Sequence, residues 1–141
     1  MPITLIIFIF LSACNSSAGA NTNNKDQIII NVKNNTNFEI YALELSWYQN
    51  GNLKGTQGTM NADGSKIGKG ENFVFELIES DLNINEKTLF EVAVLDDQDS
   101  MNKITINNKV PLQLAKNTEY NLELKGDKQD NLTVNIMNQI N

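Results

Sequence analysis

The sequence predicts an all-β domain, an antiparallel β-sandwich of about seven to nine strands. Apolar residues alternate with polar ones in short runs, so one face of each run is apolar, as a two-layer sandwich requires. Asn, Gly and Asp separate these runs at spacings of about ten residues. No window shows the sustained i, i+3, i+4, i+7 apolar spacing of a helix.

The first predicted strands surround a hairpin. Ile28, Ile30 and Val32 alternate in the first run. The next run, FEIYALELSWYQ, places four residues on one predicted core face: Tyr41, Leu43, Leu45 and Trp47. Asn50-Gly51 then suits a two-residue type I′ turn, in which both residues take positive φ. A partner strand is therefore expected from Leu53 to Met60.

The same alternation continues to the C-terminus. Its predicted core positions are Phe73, Phe75, Leu77, Phe90, Val92, Val94, Ile104, Ile106, Val110, Leu112, Leu114, Tyr120, Leu122, Leu124, Leu132, Val134 and Ile136. About 115 residues of this kind make one domain of ordinary size, predicted over residues 27–141.

An apolar segment and the only cysteine precede this domain. The run from Ile3 to Leu11 is shorter than the roughly 18 residues that a membrane-spanning helix needs, but it suits the hydrophobic region of an export signal. The polar run at residues 14–26 is typical of a flexible tether, with a reach of about 20 Å for some 12 residues. Residues 1–13 are therefore predicted to be a signal peptide.

Leu11-Ser12-Ala13-Cys14 resembles the lipobox of bacterial lipoproteins, an aliphatic residue followed by two small residues and a cysteine. The resemblance implies cleavage between Ala13 and Cys14, and acylation of Cys14 with a diacylglyceryl group. It further implies a protein held on the extracytoplasmic side of the cell membrane by its lipid anchor. One feature differs from the family, since the segment before the apolar run carries no Lys or Arg.

A second resemblance concerns the fold. The stretch from Asn34 to Leu53, followed by KIGKGENFVFEL at 66–77, resembles small immunoglobulin-like domains of bacterial surface lipoproteins. There a strand ending in an aromatic pair and an Asn-Gly hairpin precedes a Gly-Glu turn. The resemblance implies an immunoglobulin-like sandwich, although the cysteine pair on which the tryptophan of antibody domains packs is missing.

Composition excludes several classes of function. The chain has 11 basic residues against 17 acidic ones and a net charge of −6, which argues against a nucleic-acid partner. It has no histidine, and with Cys14 acylated it has no free thiol, so catalytic triads and zinc sites of His and Cys cannot form. We expect no cofactor, no metal and no enzymatic activity.

Carboxylates leave two alternatives open. A pair facing across a groove at roughly 5–9 Å could hydrolyse glycosidic bonds. The candidates are Glu76, Glu79, Asp81, Glu91, Asp96, Asp97 and Asp99. The acidic loop 96–102 could hold Ca²⁺, although its spacing does not match an EF-hand. Solvated strand faces and turns are the simpler interpretation of both.

Binding is the class of function that remains. Alternation places Tyr48 on the face opposite Trp47, so one of the two is expected to be exposed beside the hairpin tip. The predicted binding surface is Tyr48, Gln49, Asn50 and Asn52, with Tyr48 packed on an adjacent strand as the alternative.

Exposed strand edges are a second candidate surface for binding. They could accept a partner strand, which Lys54, Lys103 and Lys109 would discourage. The leading hypothesis is a membrane-anchored module that contacts an envelope protein. The alternatives are an inhibitor or ligand-binding lipoprotein and, third, a carboxylate-dependent hydrolase.

Overall fold

The computed structural model describes residues 27–78, 80, 82–97 and 102–140. The predicted signal peptide, Cys14 and the tether lie outside these residues. The described part contains nine strands: β1 (Ile28–Asn34), β2 (Ala42–Gln49), β3 (Asn52–Met60), β4 (Asn72–Leu77), β5 (Lys87–Leu95), β6 (Lys103–Thr105), β7 (Val110–Gln113), β8 (Thr118–Lys125) and β9 (Thr133–Ile140). Among the described residues there is no helix with the length and apolarity to cross a membrane.

The strands form two sheets, and the predicted β-sandwich is confirmed. Sheet A has the order β4-β1-β8-β9, and sheet B has the order β3-β2-β5-β6, with β7 also paired to β5. One pair differs from the antiparallel prediction, because β1 and β8 run parallel. The strand order differs from that of a constant-type immunoglobulin domain. In such a domain the first two strands pair, whereas β1 and β2 lie in different sheets here.

The core lies between the two sheets and follows the alternation of the sequence. Most of the predicted core positions are buried. Three are not: Tyr41, which precedes β2, and Phe73 are partly exposed, and Ile136 is 49% exposed. Ile136 lies opposite Leu122 on the edge strand β9, next to a β-bulge. An edge strand has no neighbour on its outer side, so correct alternation does not ensure burial there.

The β2–β3 hairpin has the predicted turn. Asn50 and Gly51 both have positive φ, at 51° and 78°, and Gln49 pairs with Asn52 across the two-residue loop. Strand β3 extends beyond the cover of sheet A, because its residues are exposed or partly exposed on both faces. One strand of the hairpin, β2, thus lies in the core, and the other, β3, lies in solvent.

A buried tyrosine connects the two sheets near the hairpin end. Tyr120, 1% exposed at the start of β8, donates its hydroxyl hydrogen to the Gln113 carbonyl at 2.8 Å. The same hydroxyl accepts the Ala115 N–H at 2.9 Å. This is the geometry of a tyrosine corner, in which a tyrosine hydroxyl bonds the backbone a few residues upstream. It holds the 114–117 connection from β7 to β8 in place.

Candidate functional site

A polar cleft of about 410 Å³ lies at the tip of the β2–β3 hairpin. The hairpin provides one wall, and the connection between β4 and β5 provides the other. The lining residues are Gln49, Asn50, Asn52, Lys54, Ser80, Leu82, Asn83 and Glu86. The pairing of β2 with β5 brings the two walls together, because it places Gln49 opposite Thr88 at the start of β5.

Gln49 holds the base of the cleft. Its side chain is 1% exposed, and its amide donates to the Asn83 carbonyl at 2.8 Å and to Thr88 Oγ1 at 3.0 Å. Its Oε1 accepts the Asn83 N–H at 3.0 Å. A buried amide with this many partners fixes the position of the loop that it bonds. Gln49 is therefore a structural part of the cleft wall and contributes almost no exposed surface.

A carboxylate joins the two walls higher in the cleft. Glu86 accepts hydrogen bonds from the Asn50 amide at 2.7 Å and from the Asn83 amide at 2.9 Å. Lys54, in contrast, has no ion pair or hydrogen bond with any residue that the structure describes. Among the described residues, the Asn52 side chain contacts only the Asn50 carbonyl, at 3.5 Å. Lys54 and Asn52 are therefore the lining groups most available to a ligand.

Tyr48 lies outside the cleft, on the outer face of sheet B. Trp47 is buried at 7% exposure, whereas Tyr48 is partly exposed. Tyr48 also contacts the adjacent strand β5, as the alternative interpretation predicted, because its hydroxyl donates to Glu91 at 3.1 Å. Lys109 lies 4.0 Å from the ring centroid and 3.0 Å from Glu91. Burial, and then the hydrogen bond to Glu91, raise the pKa of the Tyr48 phenol above its usual range.

An apolar row crosses the outer face of sheet B beside the cleft. Strand register places four side chains in line: Leu53, Tyr48, Leu89 and Pro111. Leu53 is 57% exposed, and Pro111 is exposed as well. The row and the cleft together form a surface that is apolar on one side and rich in amides on the other, a combination found in protein interfaces.

The structure thus places the four predicted residues in two neighbouring areas. Gln49, Asn50 and Asn52 line the cleft, and Tyr48 lies in the apolar row. Sequence reasoning missed the opposite wall, above all Asn83 and Glu86. The local sequence around the hairpin could not reveal Asn83 and Glu86, since these two residues reach the hairpin only through the long-range pairing of β2 with β5.

The carboxylate candidates do not converge where the structure describes them. Glu76 pairs with Ile29 on the outer face of sheet A, and Glu91 lies on the outer face of sheet B. Asp96 accepts the Asn102 amide at 3.1 Å. Glu79, Asp81, Asp99 and the loop segment 98–101 lie outside the described residues. Among those that are described, no three His, Cys, Asp or Glu residues cluster to hold a metal ion.

The chain enters the domain at the end that carries the cleft. The Gln27 carbonyl accepts the Asn117 N–H at 2.9 Å, next to the 114–117 connection. From there Gln113, at the end of β7, donates its side-chain amide to the Ile84 carbonyl, inside the loop that forms the second cleft wall. Any tether before Gln27 therefore starts beside the hairpin tip.

Comparisons with known proteins leave the family open. No family model matches the sequence, and no curated protein does either. Among solved structures, a disulfide-locked mutant of intermedilysin with human CD59 has a TM-score of 0.40 and 9% identity, over 79% of this chain and 24% of that chain. The structure of the human-specific toxin intermedilysin alone has a TM-score of 0.37 and 10% sequence identity, over 79% of this chain and 23% of that chain.

A protein from Bacteroides ovatus, provisionally described as a cell adhesion protein, gives a TM-score of 0.38 and 9% identity, over 81% of this chain and 44% of that chain. The chain therefore spans less than half the length of each of these structures. Likenesses at this level do not bear on function.

Proposed function

We propose that the protein is a lipid-anchored binding module of the bacterial cell envelope, and that it contacts a protein partner through the hairpin tip. The observation that carries the proposal is the position of the polar cleft at the end where the chain enters the domain. With a predicted tether of about 20 Å from Cys14, this end would face the membrane. The partner would then be a protein in or close to the membrane.

The side chains at the tip favour a protein partner. The Lys54 ammonium has no partner among the described residues, and the Asn52 amide makes only a long contact of 3.5 Å. The apolar row of Leu53, Tyr48, Leu89 and Pro111 lies beside them. Adaptable amides next to exposed apolar and aromatic groups are typical of protein contact surfaces. The acidic ectodomain supports a partner with a basic contact surface.

Small-molecule binding is the second candidate, favoured by the volume of the cleft. Its roughly 410 Å³ lies within the range of ligand pockets. Such pockets are lined mainly by apolar side chains, however, and Leu82 is the only apolar residue among the described residues that line this cleft. We therefore place an inhibitor or ligand-binding role second, and a hydrolase third because Glu76 and Glu91 lie on opposite faces.

A photoreactive amino acid at position 52 tests the proposed contact. In cells that make the full-length protein, we expect illumination to link the Asn52-substituted chain to one specific envelope protein, identified by mass spectrometry. The matched control carries the same probe at Asp130, an exposed position in the β8–β9 connection at the opposite end of the domain. Equal capture by both probes, or capture of nothing by the first, would contradict the hairpin tip as the contact surface.

The lipid anchor has a separate test. Replacing Cys14 removes the sulfur that would carry the diacylglyceryl group, so Cys14→Ala should release the protein from the membrane fraction or leave its signal peptide uncleaved. Mass spectrometry of the wild-type chain should show an acylated N-terminal cysteine, and Ser12→Ala, which keeps a small residue in the lipobox, serves as a control. A Cys14→Ala protein that is processed and fractionates like the wild type rules the anchor out.

A further inference from the structure

The tip of the β2–β3 hairpin carries the only Asn-Gly sequence of the chain, Asn50-Gly51. Both residues are exposed, and both lie in the loop between the two strands. Asparagine is a thermolabile residue, because the backbone nitrogen that follows it can attack its side-chain carbonyl carbon. A side chain on the following residue obstructs this attack, and glycine has none. The sequence thus places Asn50 next to the backbone nitrogen that hinders the attack least.

The structure leaves this nitrogen accessible. No described residue accepts a hydrogen bond from the Gly51 N–H. A β-carbon placed on Gly51 would meet no atom within 4 Å other than those of its chain neighbours. The hairpin itself is closed by the pairing of Gln49 with Asn52, which does not involve the Gly51 nitrogen. The reacting groups are therefore open to water and free of competing contacts.

The Asn50 amide is also the link between the two walls of the cleft. Its Nδ2 donates to Oε2 of Glu86 at 2.7 Å, and the other Glu86 oxygen accepts the Asn83 amide at 2.9 Å. Glu86 directly precedes β5, so this bond joins the hairpin to the loop that forms the second wall. Lys54 lines the same cleft but bonds to neither Asn50 nor Glu86. A chemical change at this one amide would therefore act on both walls.

We propose that Asn50 is a site of deamidation, and that this modification replaces the bond between the cleft walls with a repulsion between two carboxylates. In the first step the Gly51 nitrogen forms a bond to Cγ of Asn50 and the Cγ–Nδ2 bond breaks. Nδ2 leaves as ammonia with the proton of the Gly51 N–H. In the second step water opens the resulting succinimide at either carbonyl, which gives aspartate or isoaspartate. The net reaction consumes one water and releases one ammonia, without an oxidant or a reductant.

The product differs from asparagine in the property on which the link depends. A carboxylate at position 50 has no N–H to donate, and it places a second negative charge beside Glu86. Two ionised carboxylates at this distance repel each other, so the hairpin tip and the loop would separate. Isoaspartate also adds one carbon to the main chain, which the two-residue loop with its fixed strand register does not accommodate. Deamidation would thus open the cleft as the protein ages.

Incubation of the full-length protein in mildly alkaline buffer tests the chemistry, because the attacking nitrogen reacts in its deprotonated form. Peptide mass spectrometry follows the side chains of Asn50 and Asn52 over time. We expect Asn50 to convert to aspartate and isoaspartate. Asn52 is the internal control, since it is exposed in the same hairpin but is followed by Leu53, and it should keep its amide. An Asn50 amide that persists as long as that of Asn52 would overturn the proposal.

Hydrogen exchange of residues 82–87 tests the consequence for the cleft. Asn50→Asp reproduces the aspartate product, and we expect this loop to lose protection from exchange. Glu86→Gln removes the second carboxylate and supplies an amide that can donate to the first, so the loss should disappear in the double variant. Residues 122–125 of β8 control for global destabilisation and should exchange as in the wild type.

Two results would contradict the repulsion between the walls. One is unchanged exchange of residues 82–87 in Asn50→Asp, and the other is an equal loss of protection with and without Glu86→Gln. Both measurements are made on the protein alone, so the inference does not depend on the hairpin tip as a contact surface.

Discussion

Gln49→Ala is expected to destabilise the domain by about 2–3 kcal/mol. The substitution leaves the Asn83 carbonyl and N–H and the Thr88 hydroxyl without the amide that bonds them. Thr88 is fully buried, so water cannot replace the lost partner there. The loop that carries Glu86 would also lose its attachment to the hairpin. Urea denaturation followed by Trp47 fluorescence measures the loss of stability.

The control for this prediction is Gln57→Ala. Gln57 is exposed on β3 and makes no side-chain hydrogen bond to a described residue, so its replacement should stay within about 0.5 kcal/mol of wild type. The Gln49→Ala variant should also show weaker photocrosslinking from position 52, because the opposite wall of the cleft is no longer held. Equal stabilities for the two variants would show that the buried amide network does not stabilise the loop.

Gly55→Ala is expected to cost about 1–3 kcal/mol, the usual range for an overpacked buried site. A β-carbon at Gly55 would lie 2.3 Å from Cζ2 and 2.7 Å from Cε2 of Trp47, so the indole must move. Trp47 is only 7% exposed, and its Nε1–H already lacks an acceptor among the described residues. Trp47 is the only tryptophan of the chain, so its emission reports the movement directly.

Gly58→Ala is the matched control on the same strand. Its added β-carbon would meet only the Leu43 carbonyl oxygen at 3.8 Å, an ordinary contact. Because glycine in a strand is unfavourable by roughly 0.5–1 kcal/mol relative to alanine, this variant should be neutral or slightly more stable. If Gly55→Ala unfolds at the same urea concentration as Gly58→Ala, close packing of Trp47 on β3 is not what requires a glycine at position 55.

The alternation of apolar and polar residues predicted which face of each strand enters the core, because this pattern depends on neighbouring residues alone. Ile28, Ile30 and Val32 lie in the core as predicted, and Asn50-Gly51 forms the predicted turn. The parallel pairing of β1 with β8 could not be predicted in this way, since side-chain alternation is the same in parallel and antiparallel strands. Ile136 shows the same limit, because its exposure depends on an edge position that its own segment does not encode.

The candidate site was likewise predicted only in part from the sequence. Hairpin chemistry identified Asn50 and Asn52, and alternation placed Tyr48 on the face opposite Trp47, where the structure shows it partly exposed. Local pattern suggested that Gln49 belonged to the surface, but its pairing opposite Thr88 buries it. A polar residue at a strand end is normally solvated, and here a distant loop supplies its hydrogen bonds in place of water.

What the sequence by itself determined is the β-class of the domain, the face of each strand that enters the core, and the tight turn after β2. Local backbone geometry and the period of two are sufficient for these features. Only the tertiary structure decided which strands pair, and with that the second wall of the cleft and the open edge of β3. The reason is physical: pairing is selected by packing between segments far apart in the chain, and no single segment carries that information.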